Sequence, residues 1–329
     1  MKQIALTGPY NPATRKLLYE MLPEGYEMFD VPGPEDYGKL KEADSIIIRT
    51  VRLDGSDLAE AGRLRFIQKW GAGYDTLDIP GISRRDIPVA ICAGINAQPV
   101  AELAVLHMLA VCRHLLAANA KLKQNIWAKN EFSNRSFLLQ GKTVGLLGLG
   151  NIGRRVARIV QGFGAQVQYY DMYPIPEQQA RELNIRYVAL DELLATSDIL
   201  SLHVPLTEQT RGMLGAQEFA KMKDGAVLIN TARGEIVDEQ ALVQALEHGK
   251  LMGAGLDAFC AEPPGEDCPF YQMENVVVTP HIGGNTADND VNMIARCFEN
   301  IQRFDQGLPL RRRDLVNAAL LQTKPETED

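Results

Sequence analysis

The chain has 329 residues, 46% of them hydrophobic and 23% charged, and a formal net charge of −8. That length supports about two domains, each with a core large enough to need no staples. The acidic balance argues against a nucleic-acid partner, which requires clustered Lys and Arg, and the single arginine run, Arg311-Arg312-Arg313, reads as a solvated turn.

Short apolar runs alternate with helical patterns along the whole chain, the signature of parallel sheets covered by helices. Strands are predicted at 4–7, 45–48, 66–69 and 89–91, with a helix over 11–22 and another short one starting at 57–61. The segment from Pro99 is a long apolar helix with proline in its first turn, where a missing N–H is harmless, and its all-round apolarity places it between domains. Residues 121–140 are polar, carry Trp127 and Phe132, and read as an extended arm at a subunit contact. A second α/β unit begins at Lys142, with strands at 143–147, 166–170, 186–188, 199–202, 226–230, 253–256 and 276–278. Helices at 152–161, 191–196, 216–220 and 238–247 fill its gaps, with Gly249 as a C-terminal cap. A final helix over 286–306 returns to the first domain, and the charged end 324–329 is expected to be disordered.

Cys92, Cys112, Cys260, Cys268 and Cys297 are odd in number and show no C-x-x-C spacing, so they read as reduced thiols of a cytoplasmic protein. The opening MKQIALTGPY has no apolar run of signal-peptide length, and no stretch reaches the length of a membrane span. Neither a metal nor a membrane partner is expected.

The strongest local motif is G-x-G-x-x-G at Gly148, Gly150 and Gly153, placed after an apolar strand and opening an amphipathic helix. Gly148 suits the tight turn, Gly150 the close approach of backbone to a pyrophosphate, and Gly153 the packing of helix on strand. Asn151 and Ile152 open the helix, whose free N–H groups and positive end attract phosphate. Asp171 ends the next strand, about 20 residues on, where a carboxylate accepts from ribose hydroxyls and repels a 2′-phosphate. The cofactor predicted is NAD.

Arg233, Glu262 and His281 each follow a predicted strand, and ligands of open α/β sheets bind beyond the carboxyl ends of strands. Reducing a 2-oxo acid needs a hydride at C2, a proton on the oxygen and a clamp for the carboxylate. His281 suits the proton donor, Glu262 can fix the other ring nitrogen, and Arg233 can grip carboxylate and polarise the keto oxygen. Singly, each of the three has a structural reading as good as the chemical one.

Taken with IQKWGAGYDTLD from Ile67, NAQPVAELA from Asn96 and HVPLT from His203, these segments resemble the D-isomer-specific 2-hydroxyacid dehydrogenases, which include D-3-phosphoglycerate dehydrogenase and glyoxylate/hydroxypyruvate reductases. The resemblance runs from about Ile46 to Ala295. It implies two doubly wound parallel-sheet domains of α/β class, a Rossmann NAD-binding domain (99–289) inserted in a flavodoxin-like substrate domain (1–98 and 290–329), with the site in the cleft and domain closure over the substrate. It implies Arg233, Glu262 and His281 as the catalytic set. Backbone around Trp70, Gly71, Ala72 and Gly73 would hold the substrate carboxylate. His203, Val204, Pro205, Thr207, Thr231, Ala232 and Asp257 would line the cofactor, and Asn96 would touch the nicotinamide side or join the domains. A homodimer built through the nucleotide domain is implied, with a small 2-oxo/2-hydroxy acid as substrate.

Lys69 either faces that substrate or ends a strand. Arg49 and Arg52 either reach a second anionic group, which would mark a phosphoglycerate dehydrogenase, or are surface arginines. Formate dehydrogenases differ in carrying Gln where this chain has Pro280. A non-catalytic NAD-sensing corepressor on the same fold is the alternative of another class, set apart by a long tail. Nothing resembling a regulatory extension follows the final helix, so no feedback domain is expected.

Overall fold

The computed structural model describes residues 1–323 and 325–328, and the chain divides into two compact units, Met1–Asn96 with Asn285–Asp329, and Ala97–Gly284. The first unit begins with β1 (Lys2–Thr7), α1 (Pro12–Glu20), β2 (Tyr26–Val31), β3 (Ser45–Ile48), β4 (Phe66–Lys69), α2 (Ile79–Ser83) and β5 (Val89–Ala90). Its strands are all parallel, in the order β2-β1-β3-β4-β5, the flavodoxin-like order expected. The α1 helix starts where the Asn11 side chain accepts the Thr14 N–H at 2.8 Å and Pro12 takes the first helical position. The central strand β3 is buried at all four residues, as a strand covered on both faces must be.

The expected short helix at 57–61 is instead a series of turns. Its N–H groups reach back only three residues, from Asp57 to Asp54 and from Ala61 to Leu58, and Gly55 and Gly62 flank it. The strand β2 was not foreseen, because YEMFDV sits at the sheet edge and carries Glu27 and Asp30 in place of an apolar run. Nor were α2 and the 3₁₀ helix at Pro34–Glu42, both opened by proline.

The second unit opens with α3 (Ala97–Cys112) and α4 (Leu115–Lys123), followed by turns to residue 140. Then come β6 (Thr143–Leu147), α5 (Asn151–Gly162), β7 (Gln166–Tyr170), α6 (Glu177–Glu182), β8 (Arg186–Tyr187), α7 (Leu190–Thr196) and β9 (Ile199–Leu202). The unit finishes with α8 (Ala216–Lys221), β10 (Ala226–Asn230), α9 (Glu239–Glu247), β11 (Leu251–Leu256) and β12 (Val276–Val278). Seven parallel strands lie in the order β12-β11-β10-β9-β6-β7-β8, so chain order reverses between β6 and β9. The helix α3 packs on α5, β10 and β11 of its own unit. Among the described residues no single helix is long and apolar enough to cross a membrane; α3 and α4 meet at 63°.

The chain returns to the first unit with α10 (Ala287–Asp305), capped by the Thr286 side chain on the Asn289 N–H. Met293, Ile294, Cys297, Phe298 and Ile301 line its buried face. The helix runs unbroken through residue 290, so the units part at 284/285 and not within it. The end of the chain corrects the expectation of disorder. β13 (Leu310–Arg311) pairs in parallel with β14 (Thr327–Glu328), and Arg303 binds Glu328 at 2.6 Å. Lys324 and Asp329, part of that expectation, lie outside the described residues.

Candidate active site

In the second unit the candidate residues fall at the carboxyl ends of six neighbouring strands. Along the sheet they run from His281 after β12, through Glu262 and Asp257 after β11, Arg233 after β10 and His203 after β9, to the glycine loop after β6 and Asp171 after β7. This is the edge at which doubly wound sheets bind ligands, and the reversal between β6 and β9 opens it.

At the reversal, Gly148 adopts φ +98°, and a Cβ there would stand 2.8 Å from the His203 carbonyl carbon. A Cβ on Gly153 would collide with the Gly148 carbonyl oxygen, so the helix α5 can start this close to β6 only as glycine. Gly150 faces open space, which leaves its backbone free to meet a phosphate. Asp171 accepts the Leu149 N–H at 2.7 Å through one oxygen and the Tyr173 N–H at 2.9 Å through the other, tying the glycine loop to the end of β7. Both ring nitrogens of His203 and the Thr231 hydroxyl are buried without a hydrogen-bond partner among the described residues. Burial pushes the His203 imidazole down to about 3, so the ring is neutral. Buried polar atoms left without partners beside an open glycine loop fit a dinucleotide. Thr207 closes a turn by donating its N–H to Thr210 Oγ1 at 2.8 Å.

The loop after β10 is pinned by Asn230, a buried residue that sequence reasoning missed. Its Oδ1 accepts the Ala232 N–H at 3.0 Å and its Nδ2 donates to the Arg233 carbonyl at 2.9 Å. The Arg233 side chain itself is half-buried and donates to the Ala232 carbonyl at 2.7 Å. An amide at a buried strand end, as in LIN, is the signal that could have found Asn230.

Glu262 and His281 meet directly, Oε2 to Nδ1, at 2.7 Å, and the other Glu262 oxygen accepts the Phe259 N–H at 3.1 Å. Burial alone would raise the Glu262 carboxyl. The hydrogen bond and charge of His281, the Phe259 N–H and the Arg233 charge outweigh it and hold the group below its usual value. An ionised carboxylate can only accept, so His281 carries its hydrogen on Nδ1 and keeps Nε2 for exchange. His281 has φ +50°, rare for a residue with a side chain. Its loop is fixed by Asp257, whose carboxylate accepts from Ile282 N, Gly283 N and the Thr279 hydroxyl at 2.8, 2.8 and 2.6 Å. Asp257, expected to line the cofactor, thus also braces the histidine loop.

The first unit holds the remaining candidates at or after the ends of β3, β4 and β5. Gly71 has φ +95° and its carbonyl accepts the Cys92 N–H at 2.8 Å; it forms a bend with Ala72, and Gly71, Ala72 and Gly73 are all half-buried. Lys69 is buried, and its ammonium donates to the carbonyls of Arg49 and Trp70, so it braces the two loops. Arg49 lies over the rings of Tyr10 and Trp70, at 5.7 and 6.0 Å, and donates to Asn285 Oδ1 at 3.0 Å. Arg52 is exposed and paired with Asp54 at 3.1 Å. Asn96 is half-buried in the turn before α3.

The profile of the family described as "D-isomer specific 2-hydroxyacid dehydrogenase, NAD binding domain" matches residues 105–283, a span that contains the glycine loop, Arg233, Glu262 and His281. The chain belongs to this family. It is 41% identical to a hydroxypyruvate reductase of Thermotoga maritima over 80% of this chain and 86% of that one. It is 36% identical to a D-3-phosphoglycerate dehydrogenase of Archaeoglobus fulgidus over 82% of this chain, spanning 50% of that longer relative. Its fold matches the D-lactate dehydrogenase of Aquifex aeolicus complexed with NAD and lactic acid, with TM-score 0.81, 27% identity, and 92% and 96% of the two chains covered. This family member is an NAD-dependent oxidoreductase.

Proposed function

We propose that the dehydrogenase reduces a small, unphosphorylated 2-oxo acid of the hydroxypyruvate or glyoxylate class, with His281 as general acid and base. The observation that carries this is the Glu262–His281 hydrogen bond of 2.7 Å, which leaves one imidazole nitrogen free to move a proton. Bound NADH supplies the hydride. Glu262, held ionised, stabilises the imidazolium that waits to protonate the substrate oxygen. Arg233 grips the substrate carboxylate and polarises the keto group. Gly71, Ala72 and Gly73 offer backbone to an anion in the first unit.

The preference for an unphosphorylated acid rests on Lys69 and Arg52, since Lys69 is spent on carbonyls and Arg52 on Asp54. Arg49 supports a second reading. It pairs with no carboxylate among the described residues, which suits a phosphorylated acid such as 3-phosphohydroxypyruvate. Steady-state reduction of both acids decides: a kcat/KM that favours hydroxypyruvate and is little altered by Arg49→Ala supports the first reading.

A homodimer is part of the proposal. Leu122, Ile126, Trp127 and Leu138 are exposed by 56%, 48%, 78% and 61% along the arm after α3, an apolar surface of the kind that subunits cover. Five free thiols support a reducing compartment such as the cytoplasm.

A further inference from the structure

The residue at 107 lies on the face of α3 turned to the sheet, one helical turn from Ala104 and from Val111, both buried and apolar. Packing alone would be met by leucine or methionine there, yet the residue is histidine, 1% exposed. Burying an imidazole costs free energy unless its polar atoms are used. Its place is tightly made: a Cβ on Gly255 of β11 would stand 2.6 Å from the His107 Cβ, so the glycine lets the imidazole approach the strand.

The direction of the hydrogen bonds follows from the acceptor at the far end. Both oxygens of Asp257 accept backbone N–H groups, from Ile282 and Gly283, so the group is a carboxylate and Thr279 donates its hydroxyl hydrogen to it at 2.6 Å. The Thr279 oxygen is then an acceptor for His107 Nε2, 3.1 Å away. Burial lowers the His107 imidazole and keeps it neutral; with Thr279 as the acceptor, its one hydrogen sits on Nε2. The result is a chain of donors, His107 to Thr279 to Asp257, and the Asp257 carboxylate on which it ends also accepts the two N–H groups that follow His281 in sequence.

We infer that His107 is a positioning residue for His281: through Thr279 and Asp257 it holds the 279–283 loop in the conformation that presents the imidazole. The inference rests on the reading of His281 as the general acid and base. His281 sits at φ +50°, a conformation that persists only when its surroundings fix it. His107→Leu keeps the volume and removes the donor, so Thr279 turns its hydroxyl elsewhere or leaves Asp257 short of a partner.

The test is His107→Leu beside His107→Gln, whose amide can place a donor near Nε2, with Thr279→Val and Thr279→Ser as a second pair that leaves α3 untouched. Kinetics are run on the preferred 2-oxo acid, and the ring N–H of His281 is followed by NMR on ¹⁵N-histidine-labelled protein. The expected result is a kcat about tenfold lower in His107→Leu and Thr279→Val, with KM for NADH and acid within about twofold of the parent. His107→Gln and Thr279→Ser recover most of that loss, and the His281 signal moves only in the non-donating pair. An unchanged kcat in His107→Leu overturns the inference, as does an equal loss in all four variants that tracks thermal stability. If the parent protein reduces no 2-oxo acid, the reading of His281 fails, while an unmoved His281 signal in both non-donating variants defeats the inference itself.

Discussion

Glu262 and His281 lie 19 residues apart in the chain and meet carboxylate to imidazole at 2.7 Å, on loops that follow the adjacent strands β11 and β12. The parallel register of those strands brings the two loops to the same edge. Glu262→Gln keeps the shape and removes the charge. The expected outcome is a fall in kcat of about 10–10³-fold with modest change in KM for NADH, read from steady-state kinetics.

The same pair gives a dependence of stability on pH. The folded Glu262 titrates below its ordinary value of 4.5, so its contribution is fully present above 4.5 and is lost as pH falls through the lower, folded value. Thermal unfolding of the parent and of Glu262→Gln between pH 7 and 3 checks this. The parent loses its advantage only on the acidic side of 4.5; an advantage independent of pH counts against the assignment.

Asp171 meets both the glycine loop, through Leu149, and its own turn, through Tyr173. In Asp171→Ala the KM for NADH rises about tenfold, the worth of one charge-assisted hydrogen bond, and the preference for NADH over NADPH shrinks. Paired titrations with the two cofactors measure it, and an unaltered preference rules out a ribose-binding role.

Gly153→Ala tests the closeness of α5 to β6. The added carbon meets the Gly148 carbonyl oxygen, so helix and loop must shift. Overpacking of this kind costs about 1–3 kcal/mol, seen as a lowered Tm, and NADH binding weakens with it.

The parts legible in the sequence were those with a local cause. β6, β7, β9, β10 and β12 were read to the residue because each is a short apolar run between turn signals, and α9 and α10 to within one residue at each end, Asp238 and Thr286 proving to be their caps and not their first residues. The edge strand β2 was hidden by Glu27 and Asp30, and the 57–61 turns imitate a helix until their three-residue hydrogen bonds are seen. At the site, Arg233, Glu262 and His281 follow strands and could be named. Asn230 left a faint signal as an amide at a buried strand end, whereas Thr279 and His107 left none, because their roles lie in contacts with residues distant in the chain. Lys69 shows the converse: a lysine ending a strand invites a substrate role, and its burial beneath two carbonyls appears only in three dimensions.

Trp127 is 78% exposed on the arm after α4, beside Ile126. Trp127→Arg puts a charge on this surface, and the expected outcome is a shift from dimer toward monomer in light scattering at micromolar concentration. A parent protein already monomeric there contradicts the dimer.

The central claim is tested most directly by NADH oxidation with purified protein over glyoxylate, hydroxypyruvate, pyruvate, 2-oxoglutarate, phenylpyruvate and 3-phosphohydroxypyruvate, with His281→Ala alongside. The account predicts turnover highest on glyoxylate or hydroxypyruvate and at least about 10²-fold lower in the variant, with NADH still bound by both proteins. Turnover that survives in His281→Ala, or NADH binding with no turnover on any of these acids, contradicts it.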